Sequence, residues 1–225
     1  GGGMLIRLKN GQSVYINYYG QSSSRVHEAG FVYGKDNRTA KAILIPGTVA
    51  GLTTALRQYG TLPLSVVIAP AIRYAEKGFP IDETLSKIIL DNTDLLQNHH
   101  VTASVYLHEG FPRTEGDTIR HPDLVNTLKQ IAMQGQAGFY SGPVAKTIVD
   151  EVIRCGGMMT LDDLSNFQPI ISEPLKGRYR GYTIYAAPPP HSGVTVLEAL
   201  NILENADLRE LGHYANSAES FHLLA

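Results

Sequence analysis

The sequence has a single cysteine, few charges and no long apolar run. Because Cys155 is the only cysteine of 225 residues, an internal disulfide and a cysteine-type zinc site are excluded. The 19 basic and 21 acidic residues give a net charge of −2, which leaves no basic footprint for nucleic acid. No apolar stretch approaches the roughly 20 residues that span a bilayer. We therefore predict neither a nucleic-acid partner nor a transmembrane segment.

The composition is that of a globular chain, with 43% hydrophobic and 18% charged residues, and the length allows one domain or two small ones. The opening Gly1-Gly2-Gly3-Met4 resembles the interior of a longer protein, and residues 218–225 stop inside a helical pattern without a cap. We expect a segment of a longer protein, and the sequence assigns no compartment to it.

Two short β-rich runs, 4–8 and 14–19, flank Asn10-Gly11 and predict a hairpin, since Asn-Gly suits the positive φ of a tight turn. A polar loop is predicted over residues 20–41.

Helices are predicted for the middle of the chain. Gly60 and Gly78 end the first two, and Pro122 and Pro143 open two later ones. Thr160-Leu161-Asp162-Asp163 resembles a capping box with Asp in place of Glu. Two helices are predicted over residues 48–59 and 64–77, and Pro70 kinks the second or shifts its start. A third is capped by Asp82 and runs to about Gln97, and two more cover residues 122–134 and 143–155. Cys155, before Gly156-Gly157, is expected to be a small half-buried packing residue.

A rigid corner follows the predicted strand 182–187. Pro188–Pro190 stop the strand, Ser192 is expected to cap a helix over 192–204, and Gly193 allows a close backbone approach. Strands at both ends and helices between them favour an α+β fold over alternating βαβ units.

Two groups of residues invite other functions. His99, His100, His108 and Glu109 are zinc-ligand types, but adjacent histidines point in different directions, so a solvated helix end is favoured and no metal is predicted. Gly1–Gly3 precede a strand rather than a helix, which indicates close backbone packing instead of phosphate binding.

Six segments resemble, in order, the γ-glutamyltranspeptidase family of N-terminal-nucleophile hydrolases. They are Gly1–Arg7, Pro46–Gly51 through Tyr59–Leu64, Pro70–Phe79, Gly138–Gly142, Gly156–Leu164 and Tyr179–Tyr182. Pro188–Gly193, taken together with Ile45–Gly51, resembles the same family.

The resemblance implies a four-layer αββα sandwich with a large helical middle, formed as a single domain over 1–225. It also implies that this chain is part of the large subunit and lacks the family's N-terminal helices. Its partner would be the small subunit of the same precursor, whose N-terminal threonine is the nucleophile. We therefore predict no catalytic residue in this chain and no cofactor. The substrate would be a small amide or γ-glutamyl compound.

Tyr19 departs from the family pattern. In the transpeptidases proper an arginine at this position holds the substrate's α-carboxylate, because guanidinium matches a carboxylate bidentately. A hydrogen bond from a neutral hydroxyl contributes about 0.5–1.5 kcal/mol, whereas a hydrogen bond to a charged group contributes about 1.5–3 kcal/mol. Tyr19-Gly20 is similar to the acylase-like branch, which hydrolyses other amides. Arg25 in the loop, or Arg7 on the partner strand, could restore the charge.

The predicted substrate-binding residues are thus Tyr19, Gly20 and Arg25, with Ser192 as a helix cap near the substrate channel. His191 and Ser192 form no nucleophile pair, because sequence neighbours rarely face each other and no Gly-x-Ser-x-Gly elbow is present. The alternative for Tyr19 is an aromatic residue that packs at a strand end.

The sequence favours an amide hydrolase with relaxed or absent γ-glutamyl specificity. The alternatives are true γ-glutamyl transfer with glutathione hydrolysis, and a non-catalytic relative that has lost self-processing.

Overall fold

The computed structural model describes residues 1–27 and 30–224. They form two compact units, one of residues 1–21, 46–51 and 168–224 and the other of residues 22–27, 30–45 and 52–167. Helix α1, Thr48–Tyr59, has residues in both. The single-domain organisation stays a prediction.

The first unit contains a three-stranded antiparallel sheet. Strands β1, Gly3–Arg7, and β2, Ser13–Asn17, pair with Gly3 opposite Asn17 and Arg7 opposite Ser13. This confirms the predicted hairpin, and Gly11 in its turn has a φ of 89°. Strand β7, Ile170–Ser172, adds to the free edge of β2. The sequence pattern does not predict β7.

A second hairpin of the first unit carries a helix. Strands β8, Leu175–Tyr179, and β9, Tyr182–Ala186, are antiparallel, and helix α10, Gly193–Leu203, packs on both. Gly177 permits this packing, because a Cβ there would meet Leu197. The short helices α11, Leu208–Leu211, and α12, Ala218–Leu224, follow.

The second unit is built mainly from helices. They are α2 Leu64–Lys77, α3 Glu83–Asp91, α4 Thr93–Gln97, α5 His100–Tyr106, α6 Pro122–Gln134, α7 Ala137–Tyr140, α8 Gly142–Arg154 and α9 Leu161–Ser165. A 3-10 helix, Ala40–Ala42, overlaps the end of the predicted loop 20–41, of which residues 28 and 29 lie outside the described part.

Short strand pairs interrupt the predicted helical middle. They are β3 Phe79–Pro80 with β6 Thr118–Ile119, and β4 Leu107–His108 with β5 Phe111–Pro112. Ile81, Ile89, Leu107 and Ile119 form a buried cluster beside them.

The predicted third helix breaks at Asn92. Asp82 caps its start as expected, accepting from the Leu85 N–H at 2.7 Å. The Asn92 amide then donates to Ile88 O at 2.8 Å and the Thr93 hydroxyl to Leu90 O at 2.9 Å. Side chains that take up helix carbonyls compete with the helix, so α3 ends and α4 begins as a separate turn.

The prediction that Cys155 is a half-buried packing residue is wrong. Cys155 is exposed, just after the end of α8. Close packing occurs instead at Gly157, where a Cβ would overlap Val152 and come within 2.7 Å of Ala40 O.

Helix and strand are mixed, as the α+β prediction requires. Within the described ranges, no helix is both long and apolar enough to cross a membrane.

Candidate functional site

Polar aromatic side chains meet beside β2 in the first unit, and we call them the aromatic cluster: Tyr15 of β2, Tyr19 just after that strand, and His191. The His191 ring lies 5.7 Å from the Tyr15 ring at 72° and 5.7 Å from the Tyr19 ring at 81°. Both contacts are edge-to-face, the geometry that aromatic quadrupoles prefer. Tyr15 is 4% exposed and Tyr19 52% exposed. The cluster therefore runs from the core to the surface.

Asn17 joins two members of the aromatic cluster, Tyr19 and His191. Its Oδ1 accepts from the Tyr19 N–H at 3.0 Å and lies 3.4 Å from His191 Nε2. The backbone after β2 is tied to the N-terminus, since the Tyr18 N–H donates to Gly2 O at 2.9 Å.

Glycines let other backbone segments approach this region. A Cβ at Gly51 of α1 would overlap the Tyr18 ring, and one at Gly3 would overlap the Tyr15 hydroxyl. A Cβ at Gly1 would lie 2.6 Å from the Gly20 nitrogen. This supports the close-packing interpretation of Gly1–Gly3.

The proline corner brings His191 to the cluster. The His191 N–H donates to Pro188 O at 3.1 Å, and Gly193 is buried where a Cβ would overlap Ala187 O. Ser192 occupies the N-cap position of α10, but its side chain makes no capping bond. The expected side-chain cap is therefore wrong, and the exposed Ser192 hydroxyl is not used to start the helix.

Burial changes the electrostatics of the Tyr15 hydroxyl in this cluster. Burial, and secondarily the neighbouring Tyr18, raise the pKa of the Tyr15 hydroxyl above its usual value, so Tyr15 stays protonated at neutral pH. Arg7 lies at the opposite end of the hairpin, where its guanidinium donates to Gly11 O and to Ser13 Oγ and sits 5.0 Å from the Tyr185 ring. The interpretation that Arg7 faces Tyr19 is therefore wrong.

Arg25 belongs to the second unit. Its N–H donates to Ser23 Oγ at 3.2 Å, and the Ser23 hydroxyl in turn donates to Asp163 Oδ2 at 2.7 Å. The start of the loop is thereby fixed to the first turn of α9.

Residues 1–27 and 30–224 contain no group of three His, Cys, Asp or Glu placed to hold a metal ion. His99 and His100 start α5 and line a polar cleft of about 430 Å³ with Glu151 and Arg154. A side-chain bond from Arg154 lowers the pKa of Glu151 to about 2.

A larger cleft of about 700 Å³ lies in the second unit, between the end of α1 and the turn from α6 to α7. Arg57 supplies its charge, and Gln136 on its wall donates to Thr54 Oγ1 at 3.0 Å. Tyr19, Gly20, Arg25 and Ser192 do not line this cleft.

The fold is similar to that of solved transpeptidase structures. It matches the crystal structure of Helicobacter pylori γ-glutamyltranspeptidase with a TM-score of 0.92 and 32% identity, over 99% of this chain and 66% of that one.

The chain belongs to the γ-glutamyltranspeptidase family, whose sequence model matches residues 1–225. It is 35% identical over 234 residues to the glutathione hydrolase proenzyme of Escherichia coli (strain K12), covering all of this chain and 40% of that protein. It is 36% identical over 240 residues to the acylase ACY 1 proenzyme of Pseudomonas sp. (strain SE83), covering all of this chain and 43% of that protein. The chain thus spans about two fifths of these relatives' length.

The structure brings Tyr19, Gly20 and Ser192 into the first unit, and Arg25 into the second. The sequence suggests His191 only as a nucleophile partner and does not predict its contact with Asn17. The two residues are 174 positions apart, and no local pattern signals such a contact.

Proposed function

We propose that this chain is the large-subunit part of an amide hydrolase of the γ-glutamyltranspeptidase family, with the four-layer αββα sandwich of N-terminal-nucleophile enzymes. An N-terminal threonine outside this chain attacks the substrate amide carbonyl, and the amine leaves as the acyl-enzyme forms. Water then releases the acid. The chain itself supplies acyl-group binding, through Tyr19, Gly20 and Ser192. Arg25 stays a candidate from the sequence.

The observation that carries this proposal is the half-exposed, uncharged Tyr19 at the end of β2, where it is 52% exposed and held against His191. A hydroxyl offers one neutral hydrogen bond in place of a bidentate charged pair. We therefore expect the acyl pocket to accept groups that lack the γ-glutamyl carboxylate.

A small-subunit partner is supported by apolar surface in the first unit. Ile170 and Ile171 of β7 are 57% and 44% exposed, and Val196 and Ile202 of α10 are 47% and 61% exposed. A helix that is apolar on several sides is normally covered.

The first prediction concerns Tyr19→Arg in the full-length, processed protein. The kcat/KM of γ-glutamyl, glutaryl and butyryl p-nitroanilides is measured, because butyryl differs from glutaryl by the carboxylate alone. A hydrogen bond to a charged group contributes about 1–1.5 kcal/mol more than one between neutral groups. We expect Tyr19→Arg to raise the glutaryl-to-butyryl ratio about tenfold.

Tyr182→Arg is the matched control, since Tyr182 is 73% exposed in the same unit and should leave this ratio unchanged. A wild-type enzyme that strongly prefers γ-glutamyl compounds, together with a harmless Tyr19→Phe, would favour true γ-glutamyl transfer instead.

A further inference from the structure

His191 contacts both the Tyr19 ring and the Asn17 side chain that accepts from the Tyr19 N–H. We propose that His191 is a positioning residue that holds the Tyr19 side chain in the acyl-binding site, through its ring and through Asn17. This inference rests on the proposed role of Tyr19 in substrate binding. It also gives the proline corner, Pro188–Gly193, a function, because the corner holds His191 in place.

The identity of one Asn17 side-chain atom sets the direction of the hydrogen bond between Asn17 and His191. The Tyr19 N–H donates to Asn17 Oδ1 at 3.0 Å, so this atom has to be the amide oxygen and cannot be the nitrogen. His191 Nε2, at 3.4 Å from the same oxygen, must then carry the proton. At 3.4 Å the bond is long, but it selects the Nε2–H tautomer of the neutral ring.

Strand β2 places two of the partners on one side. Tyr15 and Asn17 are alternate residues of β2, and alternate side chains share a face of a strand, while Tyr19 follows the strand and its ring also contacts His191. The His191 ring covers all three, with buried Tyr15 at one end and exposed Tyr19 at the other. Tyr15 thus anchors the imidazole, and the imidazole restrains Tyr19.

The corner behind His191 restrains its backbone. The His191 N–H is bonded to Pro188 O, and the Val196 N–H donates to Ser192 O at 3.0 Å. A Cβ at the intervening Gly193 would collide with Ala187 O. The histidine ring therefore projects from a rigid turn, as a positioning residue requires.

Three substitutions separate the two contacts in the full-length, processed protein. His191→Gln retains an N–H donor without the ring, His191→Phe retains the ring without the donor, and His191→Ala removes both. We expect His191→Ala to lower kcat/KM for the best amide about tenfold, mainly through KM, with partial rescue in Gln and Phe. In a Tyr19→Ala background, His191→Ala should lower kcat/KM by less than about twofold, because the effects of substitutions at contacting residues are not additive.

His121→Ala is the matched control. His121 is also half-buried between two aromatic rings, 6.4 Å from Phe79 and 6.0 Å from Tyr106. It should lower stability and leave KM unchanged. An equal loss in the wild-type and Tyr19→Ala backgrounds would overturn the positioning role.

A second readout does not depend on turnover. With ring-¹³C tyrosine and ¹⁵N histidine, His191 should show the Nε2–H tautomer, and Tyr19 ring mobility should rise in His191→Ala but not in His121→Ala. An Nδ1–H tautomer, or an unchanged Tyr19 ring, would overturn the inference. If no amide is turned over while both signals behave as expected, the proposed function fails and the positioning role stands.

Discussion

At the scale of single residues, the position of Tyr19 depends on a glycine in another element. Gly51 of α1 is buried against Tyr18, and a Cβ there would overlap the near end of that side chain. Rotation of the Tyr18 ring cannot relieve this contact, because the Tyr18 Cβ itself lies only 2.5 Å from the added atom. The chain next to Tyr19 must shift to admit any larger residue.

Gly51→Ala is therefore expected to destabilise the protein despite better helix propensity. Overpacking costs about 1–3 kcal/mol, and replacing a helical glycine returns up to about 1 kcal/mol. We expect a net loss of about 1–2 kcal/mol and a raised KM for the amide substrate, measured by thermal unfolding and by kinetics. Gly30→Ala is the control, since a Cβ at Gly30 meets nothing within 4 Å. A Gly51→Ala protein as stable as wild type would contradict the assigned contact.

At the scale of elements, the first turn of α9 is fixed by one carboxylate. Thr160 and Asp163 form the predicted capping box, and Asp163 also accepts from the Ser23 hydroxyl at 2.7 Å and the Ser24 N–H at 2.9 Å. Partial burial raises the pKa of Asp163, but the bonds from Ser23, Ser24 and Thr160 outweigh it and hold that pKa well below its usual value. The ionised form thus stabilises the fold.

Asp163→Asn should cost about 1.5–3 kcal/mol at pH 7, the usual contribution of a bond to a charged group. Because the native pKa is lowered, the contribution is complete above the unfolded pKa of about 4 and is lost as the pH falls toward the native pKa. Urea unfolding at pH 7 and at pH 3 should show a smaller difference between variant and wild type at pH 3. Asp162→Asn, in the same turn but exposed, is the control and should change stability little at either pH.

The elements with local signals were predictable from the sequence. Helices α1, α2 and α6 have the predicted bounds, because Gly60, Gly78 and Pro122 mark their ends. Strand β7 was missed because its three residues become a strand only by pairing with β2, more than 150 positions away. The site followed the same rule: the strand pattern located Tyr19, whereas its contact with His191 depends on tertiary structure.

At the scale of the whole molecule, the chain matches about two fifths of relatives that are named proenzymes. The proposed function therefore depends on a threonine outside this chain. A non-catalytic relative, the rival hypothesis, would keep the same fold without self-cleavage. Family membership alone does not separate the two, because a fold carries many functions.

The decisive prediction concerns the full-length product of the gene. Its intact mass and N-terminal sequence should reveal two chains, the smaller one beginning with threonine, since a free α-amine must act as the base for that nucleophile. Alanine at that threonine should leave a single uncut chain, whereas alanine at Thr53, a helix residue of α1, should still be processed. Cleavage that continues without the threonine would point to an outside protease. A wild-type chain that stays uncut after long incubation would contradict the hydrolase and leave the non-catalytic relative as the better account.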